Sequence, residues 1–298
     1  MDDRSDNPEL SVCIATYNYG RFLRQCIDSI LNQSFTDFEL IVCDNASSDD
    51  TNDIIQSYSD KRIRYYRHEA NIGPQANFNH AIKLARGRYI RLMCADDVLL
   101  PDVLEDQISI LENHPEVGVV SCDFITTDEF LAVEEEVQQL HGIVNGREVC
   151  RRCTAELKNL VGGPSNFMFR ASSLPVDPFE NEFKYLSDLV TALKVLQRWD
   201  YGSINRNGYL YRRHGSSDTA VSCPSSVQID DWLRVIRRFG KIGFANAKEL
   251  IKSGRMKSGW HCFSQLKGRY TASGMLLILM NGIFPYSFYR GIRKKLRI

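Results

Sequence analysis

At Arg88-Tyr-Ile-Arg-Leu-Met-Cys-Ala-Asp-Asp-Val-Leu-Leu-Pro101, an apolar run breaks off at two adjacent carboxylates, Asp96 and Asp97, and then resumes. The first part of this stretch is typical of a buried strand that ends at the acids. Burying a carboxylate without a partner costs several kcal/mol. Hard carboxylate oxygens suit magnesium or manganese, which also bind phosphate. The stretch therefore favours a metal site over a solvated turn, provided that other polar residues lie nearby.

Apolar runs of strand length alternate along the chain with segments of helical periodicity. The predicted strands cover residues 10–15, 38–43, 63–67, 117–122, 165–170 and 201–214, in addition to the run before Asp96. The predicted helices cover residues 21–32, 49–58, 74–86, 187–196 and 230–251, with another around 104–111, and Gly87 is expected to close the third predicted helix, 74–86. This alternation predicts an α/β fold with a doubly wound, mostly parallel sheet.

Polar residues follow three of the predicted strands directly. Thr16 and Asp44 come after the first two strands, and Asp96 and Asp97 come after the strand that begins near Arg88. Ligands of open parallel sheets lie beyond the carboxyl ends of the strands. We therefore expect these side chains to share one binding site.

The composition is that of an ordinary globular protein, with 43% apolar and 25% charged residues among 298. The nine cysteines lie mostly within apolar runs, which predicts buried thiols in a reducing compartment. The N-terminus has no secretory signal pattern, so a cytoplasmic location is expected. Neither a G-x-G-x-x-G after the first strand nor a P-loop occurs, so phosphate binding would depend on metal.

The charge of the chain is unevenly placed although its net value is zero. No acid follows Glu249, whereas ten lysines and arginines do. Within residues 272–298, apolar residues recur every four positions and basic residues take another face. This pattern predicts either an interfacial helix on an anionic membrane surface or a helix that docks on the preceding domain. Nothing in the chain indicates a nucleic-acid partner.

Several motifs in order resemble the family 2 inverting glycosyltransferases of the GT-A fold, over about residues 9–219. They are Ser11-Val-Cys-Ile-Ala-Thr-Tyr-Asn18, Ser29-Ile-Leu-Asn-Gln-Ser34, Glu39-Leu-Ile-Val-Cys-Asp-Asn-Ala-Ser-Ser-Asp-Asp-Thr51, Asn71-Ile-Gly73, Gly87-Arg-Tyr-Ile90 and Ala95-Asp-Asp97 with Pro101. The resemblance implies a GT-A catalytic domain over 1–221, with a nucleotide-sugar half at 9–123 and an acceptor half at 124–221. Residues 222–298 would form a helical, basic C-terminal extension.

The resemblance also implies roles on the donor side. The donor would be a UDP- or dTDP-sugar, because Asp44 matches the acid that accepts the N3–H group of a uracil or thymine base. Thr16 and Asn18 would contact the nucleoside. Asn71 and Asn77, in the segment up to Asn79, would line the same pocket.

The metal would be Mn²⁺ or Mg²⁺, held by Asp97, by Asp96, or by both. Asp96 could instead contact the ribose. The sequence does not show which of Asp96 and Asp97 binds the metal. His214, in a Tyr-Arg-Arg-His-Gly-Ser segment, is a further candidate ligand of metal or diphosphate. Many family members carry an acid where this chain has Cys94, and a thiol is a poor ligand for magnesium.

On the acceptor side, the resemblance implies that Gly163 and Ser165 shape the pocket and that Asp188 is the general base. A sugar hydroxyl is a weak nucleophile, so a carboxylate must take its proton as it attacks the anomeric carbon. The nucleotide diphosphate would leave from the opposite face, which inverts the configuration. Asp177 and Glu182 are rivals for the role of base.

The leading hypothesis is therefore a metal-dependent glycosyltransferase of cell-surface glycan or polysaccharide synthesis. Its acceptor would be a glycan, and the basic tail favours one linked to lipid at the inner face of the membrane. Cys94 motivates an alternative, a catalytically degenerate module that binds nucleotide-sugar at the membrane surface. In a third hypothesis, the protein is a membrane-associated assembly factor. Its function would lie in the basic tail, residues 272–298, and the α/β domain would be incidental.

Overall fold

The β-strands of the protein form one mixed sheet with helices on both faces, in a computed structural model that describes residues 7–222 and 225–239. The strands are β1 (Leu10–Thr16), β2 (Phe38–Asp44), β3 (Ile63–Arg67), β4 (Tyr89–Cys94), β5 (Val98–Leu99), β6 (Val117–Thr127), β7 (Val133–Val137), β8 (Met168–Arg170) and β9 (Asp200–Arg212). The helices are α1 (Gly20–Leu31), α2 (Thr51–Gln56), α3 (Pro74–Leu84), α4 (Val103–Asn113), α5 (Gly146–Glu156), α6 (Ser187–Leu196), α7 (Asp218–Ser222) and α8 (Ser225–Phe239).

The first half of the sheet is parallel, in the order β3-β2-β1-β4. Its register places Thr16 opposite Asp44 and Ala15 opposite Cys94, so three strands end at the same edge. β2 is buried along its whole length, as a strand covered on both faces must be. The predicted α/β architecture is confirmed, and the predicted polar clusters do meet at one edge.

The second half of the sheet is mixed. β8 runs antiparallel between β4 and β6, while β9 pairs with β6 in parallel and with β5 in antiparallel orientation. β7 pairs with the far end of β6, although the three consecutive glutamates at 134–136 are typical of a solvated segment. The glutamates are exposed as expected, yet their backbone forms ladder hydrogen bonds. No apolar alternation marks β7, because neither of its faces is buried.

Side chains of successive strand residues enter two different cores, one on each face of the sheet. Leu10, Val12 and Ile14 pack with α1 and α4, whereas Cys13 packs with α3, α5 and α6. Val235 of α8 is fully buried in the second of these cores. Six of the seven described cysteines are buried and all seven are free, which confirms the prediction of buried thiols.

The start of the predicted extension therefore packs against the α/β fold, since α8 begins at Ser225 and contributes to a core. The basic segment 272–298 lies outside the described residues. In the part of the chain that the structure does describe, no helix has both the length and the apolar character needed to cross a bilayer.

Gly87 does not close the helix before it, contrary to the prediction. α3 ends at Leu84, and Ala85 is already extended. Gly87 is instead required by a close approach of two backbones, because a Cβ atom there would lie 2.6 Å from the backbone nitrogen of Ser11. The glycine thus allows the chain to enter β4 directly beside β1.

We expect Gly87→Ala to lower the free energy of unfolding by about 1–3 kcal/mol, because the added methyl group has only backbone to displace. Thermal and urea unfolding measure this change. Gly215→Ala is the matched control, since nothing lies within 4 Å of a Cβ atom there; its stability should change by less than about 0.5 kcal/mol. Equal stability of Gly87→Ala and the parent would contradict the close approach.

Candidate active site

A cavity of about 1140 Å³ opens beyond the carboxyl ends of β1, β2 and β4. Thr16, Asn77 and Asp96 line it from the first half of the chain. Gly163 and Asp188 line it from the second half. The two halves of the predicted site therefore share one space, large enough for a nucleotide-sugar and part of an acceptor.

The Thr16 side chain is buried in the wall of this cavity. Its Oγ1 atom has no hydrogen-bond partner among the described residues, although burying a hydroxyl group unpaired is costly. Beside it, Asn77 Nδ2 donates to the carbonyl of Cys43 at 2.9 Å, and Asn77 Oδ1 lies 3.1 Å from His68 Nε2. These contacts fix Asn77, while the Thr16 hydroxyl stays available for a ligand.

Asn45 and Asn71 form a second polar wall of the same cavity. Asn45 Nδ2 donates to Asn71 Oδ1 at 2.9 Å, and Asn45 Oδ1 accepts the backbone N–H of Ile72 at 2.8 Å. Asn71 was predicted to line the pocket and does so. Asn45 was missed, although its position directly after Asp44 at the end of β2 was a usable signal.

Asp44 lies beneath the cavity and is not among its lining residues. Its Oδ1 accepts the backbone N–H of Ser47 at 2.8 Å, and its Oδ2 accepts the hydroxyl of Tyr65 at 2.8 Å. Asn18, with a left-handed φ of 56°, also lies outside the lining and accepts the backbone N–H of Ser48. Contacts of Asp44 with a base and of Asn18 with a nucleoside stay predictions.

The adjacent carboxylates occupy different depths. Asp96 lines the cavity, whereas Asp97 lies below and accepts hydrogen bonds from Ser165 Oγ at 2.5 Å and from the backbone N–H of Arg212 at 3.0 Å. Burial, together with the negative charge of Asp96, raises the pKa of Asp97 well above its ordinary value. Asp96 is consequently the carboxylate that can reach a ligand.

Asp96 is held by residues from the end of β9. His214 Nε2 lies 3.0 Å from Asp96 Oδ2, and the buried imidazole ring packs against Phe22. Arg212 Nε donates to the carbonyl oxygen of Asp96 at 2.8 Å, and Arg212 Nη2 donates to Gln25 Oε1 at 2.6 Å. Arg212 was missed by sequence reasoning, which noted only the Arg-Arg-His context of this segment.

The donor set near Asp96 fits a hard divalent cation in part. Ligand atoms of Cys94, Asp96 and Asp97 lie within 4.8 Å of one another. Two neighbouring carboxylates are suitable ligands for Mn²⁺ or Mg²⁺. Burial raises the pKa of the Cys94 thiol well above its ordinary value, so the sulfur stays protonated and is a poor ligand. The Asp96 carboxylate, which reaches the cavity, therefore fits the metal, whereas the Cys94 thiol does not.

Ser165 does not line the cavity and instead supports the loop that carries Asp96 and Asp97. Its hydroxyl accepts the backbone N–H of Cys94 at 2.9 Å and donates to Asp97. It lies in a 3₁₀ turn, Pro164–Asn166, that follows Gly162 in a left-handed conformation. Gly163, by contrast, lines the cavity as predicted.

Asp188 lies at the first turn of α6, with its carboxylate close to Gly163. Its Oδ1 accepts the backbone N–H of Leu189 at 2.7 Å. Burial, with a smaller contribution from the charge of Asp231, raises the pKa of Asp188 to about 7. A carboxylate with such a pKa can accept a proton near neutral pH.

The rival acids lie elsewhere. Asp177 is exposed and forms an ion pair with Lys83 at 2.6 Å. Glu182 is also exposed, with its nearest carboxylate oxygen 3.8 Å from Arg234. Neither residue lines the cavity. The geometry favours Asp188 over both.

Comparison with known proteins identifies the family. The sequence profile of "Glycosyl transferase family 2" matches residues 11–174, more than half of the chain. The chain belongs to glycosyl transferase family 2. The match begins in β1 and runs past Asp96 and Ser165, so it includes the donor side of the cavity.

Two bacterial glycosyltransferases are among the relatives of this family 2 chain. It is 35% identical over 219 residues to UDP-Glc:alpha-D-GlcNAc-diphosphoundecaprenol beta-1,3-glucosyltransferase WfgD of Escherichia coli, covering 73% of this chain and 81% of WfgD. It is 37% identical over 129 residues to the putative glycosyltransferase EpsE of Bacillus subtilis, covering 42% of this chain and 46% of EpsE. With several such relatives, the matched region spans about half of their length.

Solved structures confirm the GT-A-like fold of this family 2 protein. The crystal structure of S. aureus TarS 1-349 in complex with UDP superimposes with a TM-score of 0.64 at 19% identity, over 90% of this chain and 77% of TarS 1-349. The mannosyltransferase PcManGT from Pyrobaculum calidifontis, in complex with GDP-Man and Mn²⁺, gives a TM-score of 0.56 at 16% identity, over 97% and 84% of the two chains.

Proposed function

We propose that this protein is an inverting glycosyltransferase that moves a sugar from a UDP- or dTDP-sugar to an acceptor hydroxyl in cell-surface polysaccharide synthesis. One observation carries the proposal. A single cavity joins polar residues at the ends of three parallel strands with a separate carboxylate, Asp188, whose pKa is raised to about 7. Donor and acceptor chemistry need these two parts in one space.

The donor nucleotide would occupy the side of the cavity lined by Thr16, Asn45 and Asn71. The unpaired Thr16 hydroxyl supplies a hydrogen bond to the nucleoside. Asp44 and Asn18 retain their proposed roles toward the base and the nucleoside, which would require local side-chain or backbone movement. The movement is needed because Asp44 lies beneath the cavity wall; its carboxylate could still accept a base N3–H beside its hydrogen bonds from Tyr65 and Ser47.

The diphosphate would lie toward Asp96, and the carboxylates of Asp96 and Asp97 would hold the Mn²⁺ or Mg²⁺ ion. When bound, the metal ion would neutralise the negative charge that develops on the leaving diphosphate. Asp96 is the proposed ligand that reaches the cavity, with Asp97 beneath it. His214 fixes Asp96 Oδ2, and Arg212 fixes the Asp96 backbone.

The acceptor hydroxyl would lie next to Asp188, at the wall formed with Gly163. As the acceptor oxygen attacks the anomeric carbon, the Asp188 carboxylate takes its proton. The C–O bond to the diphosphate breaks on the opposite face of the sugar, which inverts the anomeric configuration. Asp188 must therefore be ionised at the start of each turnover.

The relatives support the substrate classes. The name of WfgD specifies a UDP-glucose donor and an acceptor sugar on diphosphoundecaprenol. TarS was crystallised with UDP and PcManGT with GDP-Man, so the proposal of a pyrimidine base rests on Asp44 and on the donor named for WfgD. We propose a lipid-linked glycan acceptor at the cytoplasmic face of the membrane, where the basic segment 272–298 would contact anionic lipid.

A degenerate binding module is the second candidate, and Cys94 is the observation that favours it. This candidate predicts nucleotide-sugar binding without turnover. The raised pKa of Asp188, a half-buried carboxylate at the cavity wall, favours the enzyme over this candidate, because raised carboxylate pKa values are common at catalytic sites.

We expect transfer to depend on pH through Asp188. Since the base must be ionised, kcat/KM should rise with pH and reach half its plateau near the pKa of about 7. Asp188→Asn should reduce kcat by roughly 100- to 10,000-fold, while the affinity for UDP stays the same. Steady-state transfer from a UDP-sugar to a lipid-linked sugar acceptor measures both effects.

Asp177→Asn is the matched control, because it removes an exposed acid of the same loop region and should leave kcat unchanged. Transfer by Asp188→Asn at the parent rate would exclude Asp188 as the base. Nucleotide-sugar binding by the parent protein with no transfer to any acceptor would favour the binding module.

Thr16→Val should have two effects of opposite sign. Removing an unpaired buried hydroxyl should leave the stability of the free protein unchanged or raise it by up to about 1 kcal/mol. Removing a ligand contact should weaken UDP binding by roughly 5- to 10-fold, equivalent to about 1 kcal/mol. Thermal unfolding and isothermal titration with UDP and Mn²⁺ measure these effects.

Thr51→Val provides the control for this pair of measurements. The Thr51 hydroxyl is buried but donates to Asp49 Oδ1 at 2.6 Å, away from the cavity. Its removal should lower stability by about 1 kcal/mol and leave UDP binding unchanged. Loss of stability in Thr16→Val together with unchanged UDP affinity would show that the Thr16 hydroxyl does not contact the donor.

A further inference from the structure

Helix α8 carries a buried carboxylate that the proposed chemistry does not use. Asp231 is 1% exposed. Its Oδ2 atom accepts three backbone N–H groups, from Lys184 at 2.9 Å, Tyr185 at 2.7 Å and Leu186 at 3.1 Å. Hydrogen bonds to an ionised acceptor are about twice as strong as neutral ones. A single carboxylate oxygen thus accepts hydrogen bonds from three consecutive backbone amides.

These three amides belong to the turn that leads directly into α6, two residues before Asp188. Leu186 precedes the helix and has no polar side chain with which to cap it. Asp231 supplies the missing negative charge from another helix, in the position where a helix N-terminus attracts an anion. The orientation of the first turn of α6, and hence of Asp188, depends on this contact.

The same helix holds the rest of this segment. Arg234 Nη1 donates to the carbonyl of Glu182 at 2.7 Å, and Arg238 Nη2 pairs with Glu180 Oε1 at 3.0 Å. At the other end of the segment, Asn79 exchanges two hydrogen bonds with the backbone of Phe179, at 2.8 and 2.9 Å. Residues 179–186 are therefore fastened by α3 at one end and by α8 at the other.

We infer that Asp231 is a positioning residue for Asp188, and that α8 is consequently a working part of the active site. The inference rests on the proposed role of Asp188 as base. Asp231 lies behind the turn and contacts its amides, so it acts through the backbone and not on the substrate. Without it, the turn would lose three charge-assisted hydrogen bonds and the carboxylate of Asp188 would no longer be fixed toward the acceptor.

Asp231→Asn is the test variant, and Asp230→Asn is its matched control. The control removes the same charge from the same helix one residue earlier, where the carboxylate is partly exposed and pairs with Arg234 at 2.8 Å. Asp231→Asn in the full-length protein should lower kcat about 10- to 100-fold with donor KM nearly unchanged, because a small misplacement of a reacting group has such an effect. Asp230→Asn should keep the parent kcat.

The pH profile separates positioning from a general loss of stability. Asp231 on α8 is the charged residue that acts on the pKa of Asp188. The charged or titratable residues that share the cavity lining with Asp188 are Tyr17, Tyr19, Cys94, Asp96, Lys158, Lys184, Tyr185, Tyr209 and Tyr211. Only Asp231 changes in the test variant. Since its charge raises the pKa of Asp188, the acidic limb of the kcat/KM profile should move to lower pH in Asp231→Asn. In Asp230→Asn the limb should not move.

Amide hydrogen exchange of the same proteins gives a readout that does not need turnover. The amides of residues 184–186 should exchange faster in Asp231→Asn and at the parent rate in Asp230→Asn and Asp188→Asn. Unchanged exchange at these amides, or faster exchange with the parent kcat and pH profile, would overturn the inference. Parent-rate transfer by Asp188→Asn with these amides still protected would instead overturn the proposed base.

Discussion

The parallel register of β1, β2 and β4 is the constraint on which the site depends. Backbone hydrogen bonds set Thr16 opposite Asp44 and Ala15 opposite Cys94, so the residues that follow the three strands emerge side by side. A slip of one residue would send each strand's side chains to the other face of the sheet. Because both faces are packed with apolar residues, that slip is strongly disfavoured. The fold therefore fixes the positions of the polar residues at this edge, and no bound ligand is needed to hold them there.

The acidic residues at this edge lie at different depths below the cavity surface, and their roles differ accordingly. Asp44 and Asp97 are buried, and both carboxylate oxygens of each residue accept hydrogen bonds from protein donors. Asp96 and Asp188 reach the cavity from opposite halves of the chain. The deep acids hold the loops in place, whereas the shallow acids reach the cavity directly. In the proposed mechanism, the deep acid Asp44 would meet the base only after local movement. Arg212 links the two classes, since it contacts both Asp96 and Asp97.

Local patterns predicted most of the fold and the edge at which the cavity lies. Strand ends are marked by the change from apolar to polar residues, and this pattern pointed to Thr16 and Asp96. Asn77, Gly163 and Asp188 came instead from the resemblance to family 2, and all five residues line the cavity. The depth of Asp44, the supporting role of Ser165, and the contributions of Arg212 and Asp231 were not predicted. Each of these depends on contacts between residues far apart in the chain, which leave no local pattern. The exposed strand β7 was missed for a related reason, since backbone pairing alone defines it.

The central claim is that the strand ends hold a pyrimidine nucleotide through its nucleoside and, by way of a cation bound to Asp96, through its diphosphate. The most direct measurement is anomalous scattering from crystals of the protein grown with UDP and Mn²⁺. The account predicts one manganese peak in contact with the Asp96 carboxylate and the diphosphate, and the uridine beside Thr16 and Asn45. A UDP molecule bound outside this cavity, or a manganese peak remote from Asp96, would contradict it.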